Sequence, residues 1–339
     1  MAEKWICRKG SKSGGFQYSA PNGKRIRDKK VLERIDTLRI PPAWREVHIA
    51  VSPRASIQAW GLDARGRKQY RYHPRAVQKG EMRKFYRVAQ MGRDLPLLRK
   101  EFHADLRRKD FSAERVAAGI VLLIGEAFIR VGSEKYEKEN NTFGITTLGK
   151  SHATVENDVV TFKYVGKRSI SHRTVVTNAK LARLVESLLL TPGARLFRYQ
   201  KEGEGDWLNM DARDVNEYIE KATTFPYTAK DFRTWGGTLR AATVLSEIGS
   251  GKNENSRKKD VTMTVRLVAS ELGNTPTILR KSYVHPAILA RYLKNGARIQ
   301  LPSGKGTRTS PTAHTADEKA LIAFLNEHAP ERRKERREE

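Results

Sequence analysis

The punctuation of this chain changes at His73-Pro74, and that change limits the architectures open to it. Before it, turn signals at Gly14-Gly15 and Pro21-Asn22-Gly23 separate short runs such as Phe16-Gln17-Tyr18. Ile40-Pro41-Pro42-Ala43-Trp44 then leads into Val47 to Ser52 and on to Lys68-Gln69-Tyr70-Arg71-Tyr72. Turn residues at such intervals favour hairpins of short strands, with one helix expected around Asp28 to Leu38. After His73-Pro74 the spacing becomes helical. Val116, Ile120, Leu123, Ile124, Ala127 and Phe128 recur at three- and four-residue intervals, so one face of that helix is expected to be buried. The reading is α+β: a small β-rich N-terminal domain over residues 1–78, a larger mainly α-helical domain over 79–300, and a charged C-terminal segment, 301–339, expected to be partly disordered.

Within the larger domain, Val159 to Val165 and Thr174 to Val176 read as two strands, which puts Lys167 on the hairpin tip between them. Helices are expected at Leu181 to Leu190, Arg213 to Ala222 and Thr228 to Ile248. In the last of these Phe232, Trp235, Leu239, Ala242 and Leu245 mark the buried stripe, with Arg233 beside it. Gly249 to Asp260 reads as a mobile loop ending in an Asp260 N-cap, followed by a helix over Val261 to Leu272 that Gly273 stops. Thr275-Pro276 is a helix start, since Thr can cap free amides and Pro is tolerated at the first helical position. A short helix therefore carries Tyr283 near its end, and Pro286 forces a break just beyond it.

Composition narrows the partners. Lys and Arg number 65 against 38 Asp and Glu, a formal charge of +27 with a pI near 10.2, which calls for a polyanion. A membrane is not expected, because a spanning helix needs about 20 mainly apolar residues and no such run or secretory signal is present. Cys7 is the only cysteine, so no internal disulfide can form and a reducing, cytoplasmic location is the default. The eight His are scattered, and no His-Glu-x-x-His or phosphate-cradling Gly-rich loop occurs. No metal, ATP or other cofactor is expected. Chemistry on a phosphate would then need basic side chains for the developing charge and a side-chain nucleophile.

Four segments meet that demand in order: Arg130-Val131-Gly132-Ser133-Glu134-Lys135-Tyr136, Gly166-Lys167, Lys230-Asp231-Phe232-Arg233-Thr234-Trp235, and Leu272-Gly273-Asn274-Thr275-Pro276 followed by Ser282-Tyr283. Their sequence resembles the motifs of poxvirus-like bacterial type IB DNA topoisomerases, and the proline- and tyrosine-containing runs of the first seventy residues resemble that family's DNA-clamping domain. The resemblance spans roughly residues 10 to 295. It implies the fold of the tyrosine recombinase and type IB topoisomerase catalytic domain, with Tyr283 as the nucleophile that becomes linked to a 3′ phosphate. Arg130 and Arg233 would contact the non-bridging oxygens, where a planar, permanently charged fork suits a five-coordinate phosphorus. Lys167 would protonate the leaving 5′ oxygen, a role that needs its pKa drawn toward neutrality by neighbouring arginines. Lys230 adds a second cation. Where the family usually has His, this chain has Asn274, whose amide can still donate to a phosphate oxygen; His285 is expected to point elsewhere.

The same resemblance assigns DNA contacts to Gln69, Tyr70 and Tyr72 in the major groove, to Arg67, Lys68 and Arg71 on phosphates, and to Tyr136 near the catalytic motif. Double-stranded DNA is the expected partner, bound by a monomer. A tyrosine site-specific recombinase would use nearly the same basic set. Its front end would differ, however, and it would usually carry a His three residues before the second Arg, where this chain has Lys230. A non-catalytic basic DNA-binding protein would explain the charge but not Tyr283 with its basic partners.

Overall fold

A computed structural model describes residues 5–11, 13–201, 205–223, 225–301 and 310–329, and divides the chain into two compact units, Met1–Lys84 and Phe85–Glu339. The first unit is an antiparallel sheet of β1 (Trp5–Ser11), β2 (Gly15–Ser19), β3 (Arg45–Ala50), β4 (Ile57–Leu62) and β5 (Lys68–Tyr72), in the order β2-β1-β3-β4-β5. Helix α1 (Lys29–Thr37) is inserted after β2; Asp28 caps it by accepting from the Lys30 and Val31 amides. Its Ile35 packs with Ile6, Val47, Ile49 and Ala59 to make the unit's core. The two-residue period of β5 separates its side chains: Lys68, Tyr70 and Tyr72 are exposed, while Gln69 and Arg71 alternate to the other side.

The division falls inside α2 (Pro74–Asp105). Next come α3 (Ala113–Ala127) and α4 (Glu134–Asn140), then an antiparallel sheet of β6 (Ala153–Glu156), β7 (Val159–Gly166) and β8 (Ile170–Thr177). After α5 (Ala179–Leu189), β9 (Arg198–Gln200) pairs with β10 (Trp207–Asn209). The helices α6 (Ala212–Lys221), α7 (Ala229–Ile248), α8 (Glu254–Glu271), α9 (Pro276–Ser282), α10 (Pro286–Asn295) and α11 (Ala316–His328) complete the unit. A small β unit followed by a mainly helical one is the α+β arrangement that the change at His73-Pro74 predicts.

Two local expectations need correction. Helix α3 is buried all round from Arg115 to Ile124, not on one face, because α5, α6 and α7 pack on different sides of it. Helix α8 begins at Glu254, so Gly249 to Asp260 is not one loop: Asn253 caps it through the Ser256 amide, and Asp260 is an interior residue that accepts the Tyr292 hydroxyl at 2.8 Å. The segment from 301 onward contains the packed helix α11. Leu321, Phe324 and Leu325 are buried, and Glu318 holds Arg99 of α2 through two oxygens at 2.6 and 2.9 Å. Residues 302–309 and 330–339, most of the remaining charged stretch, lie outside the described residues.

Candidate active site

Helix α7 carries two of the basic residues, and its first turn is fixed before its middle is reached. Asp231 accepts from the Thr228 amide and hydroxyl, both at 2.9 Å, and is 1% exposed. Arg87 of α2 closes on the same carboxylate at 3.0 and 3.2 Å, so the buried charge is paired, as burial requires. Lys230, one residue before Asp231, and Arg233, two after it, bracket that anchor. The next turn holds Gly236 and Gly237, which cost about 1 kcal/mol each relative to Ala inside a helix. Their use is close approach. A Cβ on Gly236 would overlap the Phe128 ring, and one on Gly237 would stand 2.6 Å from the Tyr283 carbonyl oxygen. Thr238 completes the seam, accepting the His285 amide at 3.0 Å.

Phe128 is where α3 ends, in the left-handed conformation with φ of 51°, and Arg130 follows two residues later, outside any helix or strand. Arg130 is therefore placed by the packing of that turn on α7. Tyr283 is the C-cap of α9, whose N-cap Thr275 and first-turn Pro276 are as the sequence predicts. His285 caps α10 by accepting the Ala287 amide at 3.2 Å, an occupation that takes it away from the phosphate role.

The end of α8 joins these parts. Gly273 takes φ of 61°, the left-handed residue that commonly closes a helix, and the Asn274 amide reaches back to the Ala269 carbonyl at 2.8 Å. Helix closure leaves last-turn carbonyls open. Arg233 Nη2 donates to the Leu272 carbonyl at 2.9 Å and Arg130 Nη2 to the Gly273 carbonyl at 2.7 Å. Two guanidiniums are thus fastened to consecutive carbonyls at the negative end of one helix. Arg130 Nη2 also donates to Asn274 Oδ1 at 2.7 Å. Arg233 is 5% exposed, and its guanidinium carbon lies 5.4 Å from the Tyr283 ring centroid. Burial, and then Arg130, draw the Arg233 pKa down; burial does the same for Arg130. Buried polar atoms without a hydrogen-bond partner among the described residues include Arg233 Nε and Asn274 Nδ2.

Tyr283, Arg130, Arg233, Lys230, Lys167 and Tyr136 line one cleft of about 440 Å³. Lys167 sits on the β7–β8 tip, with its Nζ 5.6 Å from the Tyr136 ring centroid. Two residues that the motifs do not single out stand close by. Tyr164 of β7 and His172 of β8 are register partners with rings stacked 5.1 Å apart, and both feel the charges of Arg130 and Arg233. The alternation of β7 and β8 was the available signal, since it places positions 164 and 172 on one sheet face.

The first unit is described by itself. Its sheet carries an exposed aromatic and basic face in which Trp60 stacks on His48 at 4.0 Å, Lys68 Nζ lies 3.9 Å from the Trp60 ring, and Tyr70 stacks on Tyr72 at 5.7 Å. Gln69 and Arg67 are held by Asp63, and Arg71 donates to the Arg39 carbonyl. Tyr70 and Tyr72 are neighbours on one face, and Gln69, grouped with them as a major-groove contact, is not on that face.

A mainly helical unit that gathers one buried and one half-buried guanidinium and two lysines around one tyrosine defines a class: a protein with a cation-lined anion site beside a phenol. Residues 73–302 match the family described as "Eukaryotic DNA topoisomerase I, catalytic core", and residues 15–63 match "Bacterial DNA topoisomerase IB, N-terminal domain". The chain is 32% identical to a DNA topoisomerase 1B of Acanthamoeba polyphaga mimivirus over 296 residues, 86% of this chain and 88% of the relative. It is 28% identical to the DNA topoisomerase 1B of Vaccinia virus (strain Copenhagen), over 68% of this chain and 70% of that one. The chain belongs to the type IB DNA topoisomerase family.

Proposed function

We propose that this protein relaxes supercoiled duplex DNA by cutting and resealing one strand through Tyr283. The observation that carries the reading is the pair of guanidiniums, Arg130 and Arg233, fastened to adjacent carbonyls beside the Tyr283 phenol. The Tyr283 oxygen attacks a backbone phosphorus and loses its proton to solvent; the bond from phosphorus to the 5′ oxygen breaks, and Lys167 supplies the proton that oxygen needs. A 3′-phosphotyrosine and a 5′-hydroxyl result. Strand rotation releases superhelical strain, and the 5′-hydroxyl reverses the step. The phosphoester energy is kept in the tyrosyl bond, so the cycle draws on no ATP.

The arginines stabilise charge that grows on the non-bridging oxygens, in positions set before substrate arrives. Asn274 Nδ2 and Arg233 Nε are further donors for those oxygens, and Lys230 adds positive charge at the cleft. In the first unit, Lys68, Tyr70 and Tyr72 supply a face for a DNA groove, while Arg67, Gln69 and Arg71 act mainly by shaping the strands around it. The protein works as a monomer on double-stranded DNA in the cytoplasm, associated with the nucleoid; its +27 charge supports that partner. Incubating it with supercoiled plasmid in EDTA without ATP, beside Tyr283→Phe, tests the reading. Relaxation by wild type alone is expected. Absence of relaxation by wild type across a range of salt contradicts it.

A further inference from the structure

The β7–β8 hairpin that presents Lys167 and the α8–α9 connection that presents Asn274 are far apart in sequence, and one side chain occupies the space between them. His172 lies on β8, stacked on Tyr164 at an interplanar angle of 19°. A Cβ placed on Gly166 would stand 2.6 Å from His172 Cδ2 and 2.7 Å from Nε2. A Cβ placed on Gly273 would stand 2.7 Å from His172 Cε1 and 3.4 Å from Arg130 Nη1. Gly166 immediately precedes Lys167, and Gly273 immediately precedes Asn274. Both positions therefore lack a side chain where the imidazole passes, and Gly166, unlike Gly273, does so in an extended conformation open to any residue.

The tip itself is poorly held by its own backbone. Arg168 and Ser169, which follow Lys167, have φ of 67° and 56°, a region that costs free energy for residues with a side chain. Nothing in a three-residue connection of that kind fixes the direction of a lysine stem. A flat ring wedged from Tyr164 across Gly166 to Gly273 does, because it ties the base of the tip to the residue pair that grips Arg130.

We propose that His172 is a positioning residue for the cleavage step: its imidazole sets the general-acid hairpin of Lys167 against the Gly273-Asn274 connection and the arginine fastened there. The inference rests on the assignment of Tyr283 as nucleophile and Lys167 as acid. Burial and the two arginines lower the His172 pKa, which favours the neutral ring and suits a spacer beside cations.

The test separates the acid from the arginines by changing the leaving group. A 5′ alkoxide needs a proton, whereas a thiolate, with a thiol pKa near 8.5, leaves without one. Two duplexes are made at a cleavage position first mapped with wild type, one with the ordinary 5′ oxygen and one with sulfur in its place. In each, the Tyr283 oxygen binds phosphorus while the 5′ fragment departs as alcohol or thiolate. Single-turnover formation of the covalent complex is measured for wild type, His172→Ala, His172→Phe and Gly166→Ala. Misplacing a proton donor by a fraction of its reach is expected to slow His172→Ala about 10- to 100-fold on the oxygen substrate, with a rate close to wild type on the sulfur one. His172→Phe, which keeps a flat ring on Tyr164, restores most of the oxygen rate. Gly166→Ala keeps His172 but pushes its ring, and shows the same selective loss; it carries the test if His172→Ala does not fold. Equal slowing on both substrates, or no slowing on oxygen, overturns the inference. Failure of wild type to form a Tyr283-linked complex on either duplex instead removes the reading on which it rests.

Discussion

Arg130 Nη2 donates to Asn274 Oδ1 at 2.7 Å, and the amide nitrogen of the same Asn274 is buried with no hydrogen-bond partner among the described residues. One side chain thus uses its acceptor to hold a guanidinium and keeps its donor unspent. A buried unpaired N–H is costly, and a phosphate oxygen in the cleft would satisfy it.

Asn274→Ala is expected to lower single-turnover cleavage about a hundredfold, the scale of losing one preorganised donor to a charged transition state. Asn274→Asp separates the two uses. It strengthens the grip on Arg130 but replaces the donor with a negative charge, so it is expected to be slower than Ala. An Asp variant faster than Ala would mean that Asn274 serves only to hold Arg130.

Gly237→Ala probes the seam under the tyrosine. The added methyl meets the Tyr283 carbonyl oxygen at 2.6 Å and Leu272 Cδ2 at 3.2 Å. Overpacking costs about 1–3 kcal/mol and better helix propensity returns roughly 1 kcal/mol, so the melting temperature shifts little while covalent-complex formation falls. A variant with wild-type cleavage would show that Tyr283 tolerates displacement of its own backbone.

The Arg99–Glu318 pair has side chains only 8% and 5% exposed. Glu318→Ala leaves a buried guanidinium unpaired and is expected to cost about 3–5 kcal/mol in unfolding free energy, whereas Arg99→Met with Glu318→Leu recovers most of that loss. Chemical denaturation of the three proteins measures it. A negligible change in the single variant would place α11 outside the cooperative unit.

His172 also predicts a pH dependence. It faces Tyr164 from β7 and feels Arg130 and Arg233, and burial with these arginines depresses its pKa below the ordinary 6.5. A depressed folded-state value means that the unfolded chain binds the proton more readily. The stabilisation is therefore complete above about pH 6.5 and is lost as pH falls through the folded value. His152, lowered by burial and Arg195, adds to the same trend. Thermal melts between pH 7.5 and 5 are expected to fall less steeply for His172→Phe than for wild type; parallel curves would assign the acid sensitivity elsewhere.

The chain spells out what local rules govern. Thr275-Pro276 and Pro286 delimit Tyr283 because capping and the missing proline N–H act within a few residues. The start of α8 is ambiguous in the sequence because Asp260 and Asn253 are both competent caps; in the structure Asn253 caps the helix and Asp260 takes the Tyr292 hydroxyl. Gln69 was separable from Tyr70 and Tyr72 by strand period alone. The wedge at His172 and the fastening of Arg130 and Arg233 to α8 carbonyls were not legible, since each joins segments distant in sequence through backbone atoms and glycines, which carry no pattern.

The most direct test is to identify the covalent link. Duplex labelled on the strand to be cut is incubated with wild type, the reaction is stopped with denaturant, and the labelled peptide is sequenced by mass spectrometry after proteolysis. The account predicts a 3′-phosphate ester on Tyr283, present in wild type and absent in Tyr283→Phe. A label on another residue, or an equal adduct in Tyr283→Phe, contradicts it.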